Sequence, residues 1–385
     1  MRFEISLLNL CAAVSIPADR PARIRSLARG GLEWDLFETL AVHHRVFPLV
    51  FKALSPAAAE VVPRDVWERL RTRYFANLAK NMAARKELAE ALSALDEQGV
   101  TAVPYKGPVL AEAAYGDIGL RHFNDLDLLV KEEDVERAIS VFRGRGFGLE
   151  RSDRPAAVKR DHRYLRDYGL RRPGEPCPLE IQWRLVQKYH PLLSDREGIW
   201  SRLREFSIEG RTARTLSLED TLLVLCLHGL YHSWENLQMV ADVGRAAAAG
   251  PSIDWPGLLE RTRGQGGLRI LLLGLLLARD LLSAPVPHAV SEAAAEDRFI
   301  TGLASRMSAH FFEGASPARR ARSFFFREAR MIVGPANRIR YLLGRILTPN
   351  EEDREAFALP TGLFFLYPLW RASRLFRKYL FTRNE

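Results

Sequence analysis

Two aspartates separated by a single residue stand at the head of an apolar run, Asn124-Asp-Leu-Asp-Leu-Leu-Val130. On a β-strand successive side chains point to opposite faces, so Asp125 and Asp127 share one face while Leu126 and Leu128 take the other. Carboxylates held this close repel each other, and a hard divalent cation between them removes the repulsion. Mg²⁺ is bound in this way, by oxygen ligands. Paired acids that hold metals at the phosphates of a nucleotide are the arrangement of two-metal phosphoryl transfer. The chain has 47 Asp and Glu residues, so acid-x-acid triplets also arise by chance, and an isolated one reads as a solvated strand edge. This one opens a strongly apolar strand and precedes a helix. A further acid, Glu180, lies in Leu179-Glu-Ile-Gln-Trp183, where period two puts Glu180 and Gln182 on one face. If the two strands are neighbours, three carboxylates meet; otherwise the second is an ordinary amphipathic strand.

Upstream, Lys106-Gly107-Pro108 ends a short apolar segment, and Arg121 precedes the acid pair. Glycine lets backbone N–H groups approach a phosphate closely, and a helix N-terminus favours the anion there. Lysine adds a point charge and arginine a bidentate clamp. Lys106-Gly107, Arg121, Asp125-x-Asp127 and Glu180 together resemble the nucleotidyltransferase superfamily typified by DNA polymerase β, and more closely its uncharacterised bacterial nucleotidyltransferase branch. The resemblance continues through Leu216-x-x-Glu-Asp220, His228-Gly-x-x-His232-x-Trp234, Asp242-Val-x-Arg245 and Asp254-Trp255, so it spans roughly residues 30–285.

The resemblance implies that Asp125, Asp127 and Glu180 are catalytic and hold Mg²⁺ or Mn²⁺, and that an NTP is the substrate. It implies that Lys106, Gly107 and Arg121 meet the triphosphate. The reaction would move a nucleotide monophosphate to a hydroxyl or phosphate of a small-molecule, protein or RNA acceptor. Two other readings stand beside it: a catalytically idle fold acting as nucleotide sensor or assembly subunit, and a basic scaffold for membrane or nucleic acid. His228 and His232 lie one helical turn apart and share a face. That spacing suits a metal pair, but the glutamate of His-Glu-x-x-His is replaced by Gly229, and a structural or substrate-facing role along the cleft is the stronger reading. Asp242 and Arg245 fit either the same wall or a surface ion pair.

The elements that must carry these residues follow from periodicity and punctuation. Residues 1–98 read as helical, with Pro63 opening the longest helix. Trp67, Leu70, Tyr74, Leu78, Met82, Leu88, Leu92 and Leu95 form its apolar stripe, and Gly99 its left-handed end. Residues 99–215 read as an α/β core with strands at Val100–Tyr105, Leu126–Val130, Phe147–Glu150, Tyr164–Arg172 and Leu179–Arg184. Ser217 caps a return to helices at 218–230, 234–249, 255–264 and 268–283, which pack on the core as a helical domain over 216–310. Residues 311–385 form a basic helical region. The fold class is therefore α+β, a small mixed-sheet nucleotidyltransferase core flanked by helical regions.

Composition bounds the rest. The chain has 385 residues, is 47% hydrophobic and 27% charged, and carries a formal net charge of +9, with a pI of about 9.6 and a mean hydropathy of -0.14. Wholesale disorder and a polytopic membrane protein are excluded, and the charge favours polyanionic partners. Cys11, Cys177 and Cys226 are far apart, which excludes a disulfide framework and a cysteine-type zinc site and points to the cytoplasm. The run Ile270–Leu277 is fenced by Arg269, Arg279 and Asp280, too short to span a bilayer. Residues 1–17 read as an amphipathic helix. The aromatic, cationic stretch 359–381 either docks on the protein's own N-terminal helices, the favoured reading, or makes a peripheral contact with the inner membrane.

Overall fold

A computed structural model describes residues 3–150, 165–248, 252–313, 329–349 and 366–381. Five strands form one mixed sheet in the order β1-β2-β5-β4-β3: β1 (Ala102–Pro104), β2 (Leu126–Val130), β3 (Gly148–Leu149), β4 (Asp167–Arg171) and β5 (Leu179–Gln182). β2 and β5 run parallel, and the remaining neighbours are antiparallel. All five residues of β2 are buried, as expected of a strand covered on both faces. The strands lie where the sequence places them, with shorter ends; Tyr164 falls outside the described residues.

The sheet divides two cores. On one face Leu126, Leu128, Val130, Leu179 and Ile181 meet the helix Val135–Gly144 and the C-terminal half of the long helix Arg64–Asp96. On the other, Val103, Tyr105 and Leu129 join the larger core built by the N-terminal helices and by Leu218–Tyr231, Leu237–Ala247, Trp255–Gly264 and Leu268–Leu282. Every residue from Ile270 to Leu277 is buried. That run is a core helix, and among the described residues no helix is long and apolar enough to cross a membrane.

The long helix departs from its expected stripe. Met82 is 51% exposed, whereas Asn77 and Asn81 are buried. Their amides donate to the carbonyls of Ile118, Gly119 and Arg121. The neighbour on that side is a loop offering backbone acceptors, so amides satisfy it where a methionine cannot. Gly99 is left-handed at φ +65°, as expected. Ser217 accepts from the Asp220 N–H, but the Asp220 carboxylate turns to Arg202 and Arg261 instead of closing the reciprocal half of a capping box.

A second sheet, β6 (Arg204–Ile208) and β7 (Arg211–Thr215), is a hairpin that periodicity did not single out. Its Glu209-Gly210 turn has positive φ at both positions, 47° and 74°, the conformation that matches strand twist. Thr215 Oγ1 donates to the Pro104 carbonyl at 2.7 Å and fixes the hairpin to β1.

The N-terminal helix Phe3–Ala12 buries Glu4 as well as its leucines. The Glu4 carboxylate accepts from the Glu33 N–H at 2.9 Å, which explains an acid inside an apolar stretch. At the other end, among the described residues the helix Tyr367–Phe381 packs chiefly on Pro335–Leu347 and not on the N-terminal helices, and Arg371 Nε donates to the Arg345 carbonyl. A helix so close in sequence is the nearer partner. Residues 359–365 of that stretch lie outside the described residues.

Candidate active site

The parallel pairing of β2 with β5 sets Asp127 opposite Glu180 and Leu129 opposite Gln182. Paired residues of a sheet share a face, so the third acid stands beside the pair. Gln182 links them: its Nε2 donates to Asp127 Oδ1 at 2.8 Å and to Glu180 Oε2 at 3.1 Å. The Tyr105 hydroxyl donates to Gln182 Oε1 at 2.6 Å, which orients the amide. Lys106 Nζ lies 3.1 Å from Asp127 Oδ1.

Above these residues opens a cavity of about 470 Å³. Lys106, Arg121, Asp125, Glu180, His228 and His232 all line it. Asp127 lies behind this lining at 2% exposure, in contact with Lys106 and Gln182, and its Oδ2 is buried without a hydrogen-bond partner.

Gly107 is not part of the lining. Its φ of +50° is a left-handed conformation, and a Cβ there would meet the Asp125 carbonyl oxygen at 3.1 Å. The glycine is required because the turn passes so close to the strand carrying the acids. Pro108 follows it with no N–H to offer, so the expected phosphate cradle has fewer donors than a Gly-Gly turn.

Arg121 also differs from expectation. It is 6% exposed, and its Nε and Nη2 meet Asp242 Oδ1 and Oδ2, each at 2.9 Å. Tyr115 donates to the same carboxylate at 2.6 Å. Asp242 is therefore the buried counter-ion of Arg121, not half of a surface pair with Arg245. This bidentate pair closes the wall between the loop after Gly107–Tyr115 and the helix Leu237–Ala247. One nitrogen of Arg121, Nη1, is buried and unpartnered.

The electrostatics follow from burial and crowding. Burial raises the Asp125 carboxyl pKa, and the Asp127 charge raises it further. Glu180 is pushed up to about 7, first by burial and then by Asp127 and Asp125. Burial alone would lower Lys106, but Asp127, Asp125 and Glu180 outweigh it and raise the ammonium's pKa. His228 and His232 have rings 4.5 Å apart. Burial holds both imidazoles toward the neutral form, with Lys106 adding to the effect.

Among the described residues no three His, Cys, Asp or Glu side chains are arranged to hold a metal ion. The expected three-carboxylate cage is thus not closed by protein alone. The donor chemistry still fits a hard cation: one partnerless buried carboxylate oxygen, and two carboxyls, Asp125 and Glu180, held toward protonation first by burial and then by the Asp127 charge. Mg²⁺ ordinarily takes one or two carboxylates and completes its shell with substrate phosphates and water.

Over residues 30–283 the sequence matches the family described as uncharacterised nucleotidyltransferase. The chain belongs to that nucleotidyltransferase family. No curated protein matches it. The matched span contains every residue of the cavity, including wall residues that the strand motifs alone did not single out. Arg45 comes from the N-terminal helices, Arg166 from just before β4, and Gln238 from the helix Leu237–Ala247. None carries a motif. Arg45 beside His43–His44 reads from sequence as part of a packed or solvated histidine pair, and only tertiary contact brings it to the nucleotidyltransferase cavity.

The raised Glu180 pKa has a thermodynamic consequence. A carboxyl with a higher pKa in the folded than in the unfolded chain binds more protons when folded, so stability falls as pH rises between the two values. Without divalent ions Glu180 alone contributes a fall in stability as pH rises from about 4.5 to about 7, against the opposite contribution of the buried histidines His44, His122 and His190, whose pKa values burial lowers to about 4. Glu180→Gln removes that contribution, so over this range the melting temperature of the variant should gain on that of wild type as pH rises, as thermal melts at stepped pH would show; a difference that does not change with pH would place the titration elsewhere.

Proposed function

We propose that the chain transfers a nucleotide monophosphate from an NTP to an acceptor hydroxyl or phosphate, using Asp125, Asp127 and Glu180 with Mg²⁺ or Mn²⁺. The observation that carries this reading is the register of β2 and β5, which sets Asp127 beside Glu180, with Asp125 and Glu180 both on the lining of one cavity. When bound, the cation would neutralise phosphate charge and lower the pKa of the acceptor hydroxyl.

The chain's own residues do the remainder. Asp127, through its unpartnered Oδ2, and Asp125 would hold the cation that meets the donor's phosphates. Lys106 leaves Asp127 for the triphosphate, since it is a mobile point charge on a flexible stem. Glu180 serves the acceptor side. Gln182, held by Tyr105, keeps Glu180 and Asp127 in register. An acceptor hydroxyl gives up its proton to solvent, its oxygen bonds to the α-phosphorus, the bond from that phosphorus to the α,β-bridging oxygen breaks, and pyrophosphate leaves.

The test is nucleotide binding with and without Mg²⁺, followed by pyrophosphate release from four α-labelled NTPs in the presence of a cell extract. Mg²⁺-dependent binding with label passing to an acceptor is the expected result. Binding without release identifies a nucleotide sensor or assembly subunit. No binding at all leaves a basic scaffold and ends the transferase reading.

A further inference from the structure

The geometry points to Arg45 as the ligand of the donor's terminal phosphates, a subsite that rests on the nucleotidyl-transfer reading. Arg45 follows His44, which ends the helix Trp34–His43, and its φ is +59°. That is the left-handed position after a helix, which glycine usually occupies. Any other L-residue is strained there by about 1 kcal/mol, so arginine needs a reason to be in that place.

The strain is held by its neighbours. The Val46 N–H donates to the Ala41 carbonyl at 3.0 Å, and the Gln238 N–H to the His44 carbonyl at 3.1 Å. The Leu237 N–H donates to His44 Nδ1 at 3.3 Å. The Gln238 side chain clips the other lip of the cavity, accepting from the His122 N–H at 3.1 Å and donating to the His122 carbonyl at 2.8 Å. A single residue, Gln238, thus ties the turn bearing Arg45 to the loop leading into Asp125.

Of the other cations of the cavity, Arg121 is committed to Asp242, Arg166 to Asp167 and the Leu185 carbonyl, and Lys106 to Asp127 until a triphosphate draws it away. The Arg45 side chain makes no hydrogen bond or ion pair among the described residues. It lines the cavity and lies near enough to Asp125 and His232 to influence both, as Lys106 does. Glu235 shares this end but is turned toward His232, 4.0 Å away. An anion between Arg45 and Lys106 would sit over Asp125, where the donor's β- and γ-phosphates belong if Asp125 faces the leaving group. The forked guanidinium suits that anion.

Arg45→Gly tests the idea without risk to the fold, because glycine relieves the backbone strain. The melting temperature should hold or rise. In Mg²⁺, titration calorimetry with a non-hydrolysable α,β-methylene NTP should show affinity about ten- to a hundredfold weaker, the range of a hydrogen bond to a charged group. Affinity for the nucleoside monophosphate should not change, and Arg45→Lys should recover part of the loss. Equal triphosphate affinity in wild type and Arg45→Gly, or an equal loss for mono- and triphosphate, overturns the subsite alone. A wild-type chain that binds no triphosphate overturns both the subsite and the transferase reading.

Discussion

Asp127→Asn should lower Mg²⁺-dependent NTP turnover at least about a thousandfold, the several kcal/mol that metal-borne charge stabilisation supplies in phosphoryl transfer. The size follows from where Asp127 sits. It stands beside Glu180 just behind the cavity lining, Lys106 and Gln182 both donate to its Oδ1, and its Oδ2 is buried with no partner. Asparagine keeps the shape but removes the charge that would attract a cation. It also strands the Lys106 ammonium, which is itself largely buried, so some loss of stability comes with it. The double variant Lys106→Met/Asp127→Asn separates the two effects. It should regain stability, read by thermal melting, and remain inactive. Turnover within tenfold of wild type in a folded Asp127→Asn protein would show that the chemistry lies elsewhere.

The second large effect is on stability. Asp242→Ala leaves the Arg121 guanidinium buried without the carboxylate that meets two of its nitrogens, and deprives the Tyr115 hydroxyl of its acceptor. Breaking one side of a buried pair costs about 3–5 kcal/mol, chiefly through the uncompensated charge. Denaturant unfolding should show a loss of that order. Replacing both partners, as in Arg121→Met/Asp242→Leu, should restore most of it, because the isolated charge is gone. A loss below about 1 kcal/mol for Asp242→Ala, the scale of a surface pair, would mean that the pair does not lock the wall.

These two residues show what the sequence reveals and what it conceals. Asp127 is legible because a strand's alternation is strict: once Leu126 and Leu128 are assigned to a core, Asp127 must face the other way. The same rule places Glu180, and the helices from Leu218 to Leu282 follow from caps and apolar spacing, except that the one read from residue 234 begins only at Leu237, after Ser233 and Trp234 in left-handed conformation. Arg121 was legible as a cation near the acids but not as the partner of Asp242, because that contact joins elements far apart in the chain. Local pattern holds no record of it. Met82 and Asn77 fail for a related reason. Hydrophobicity marks which residues prefer burial, but the loop Ile118–Arg121 presents carbonyls to the long helix, and amides fit there better than a thioether. Arg45 was hidden most completely, since its importance depends on a backbone conformation and on contacts made by Gln238.

That stitch by Gln238 bears on how much of the chain the site requires. The acids ride on short strands, but one lip of their cavity is sewn to a helix of the C-terminal half and the other to a turn from the N-terminal half. Lifting the sheet out would leave its pocket without walls and Arg121 without its counter-ion. The family match accordingly takes in the helices on both sides of the sheet, residues 30–283, and not the strands alone.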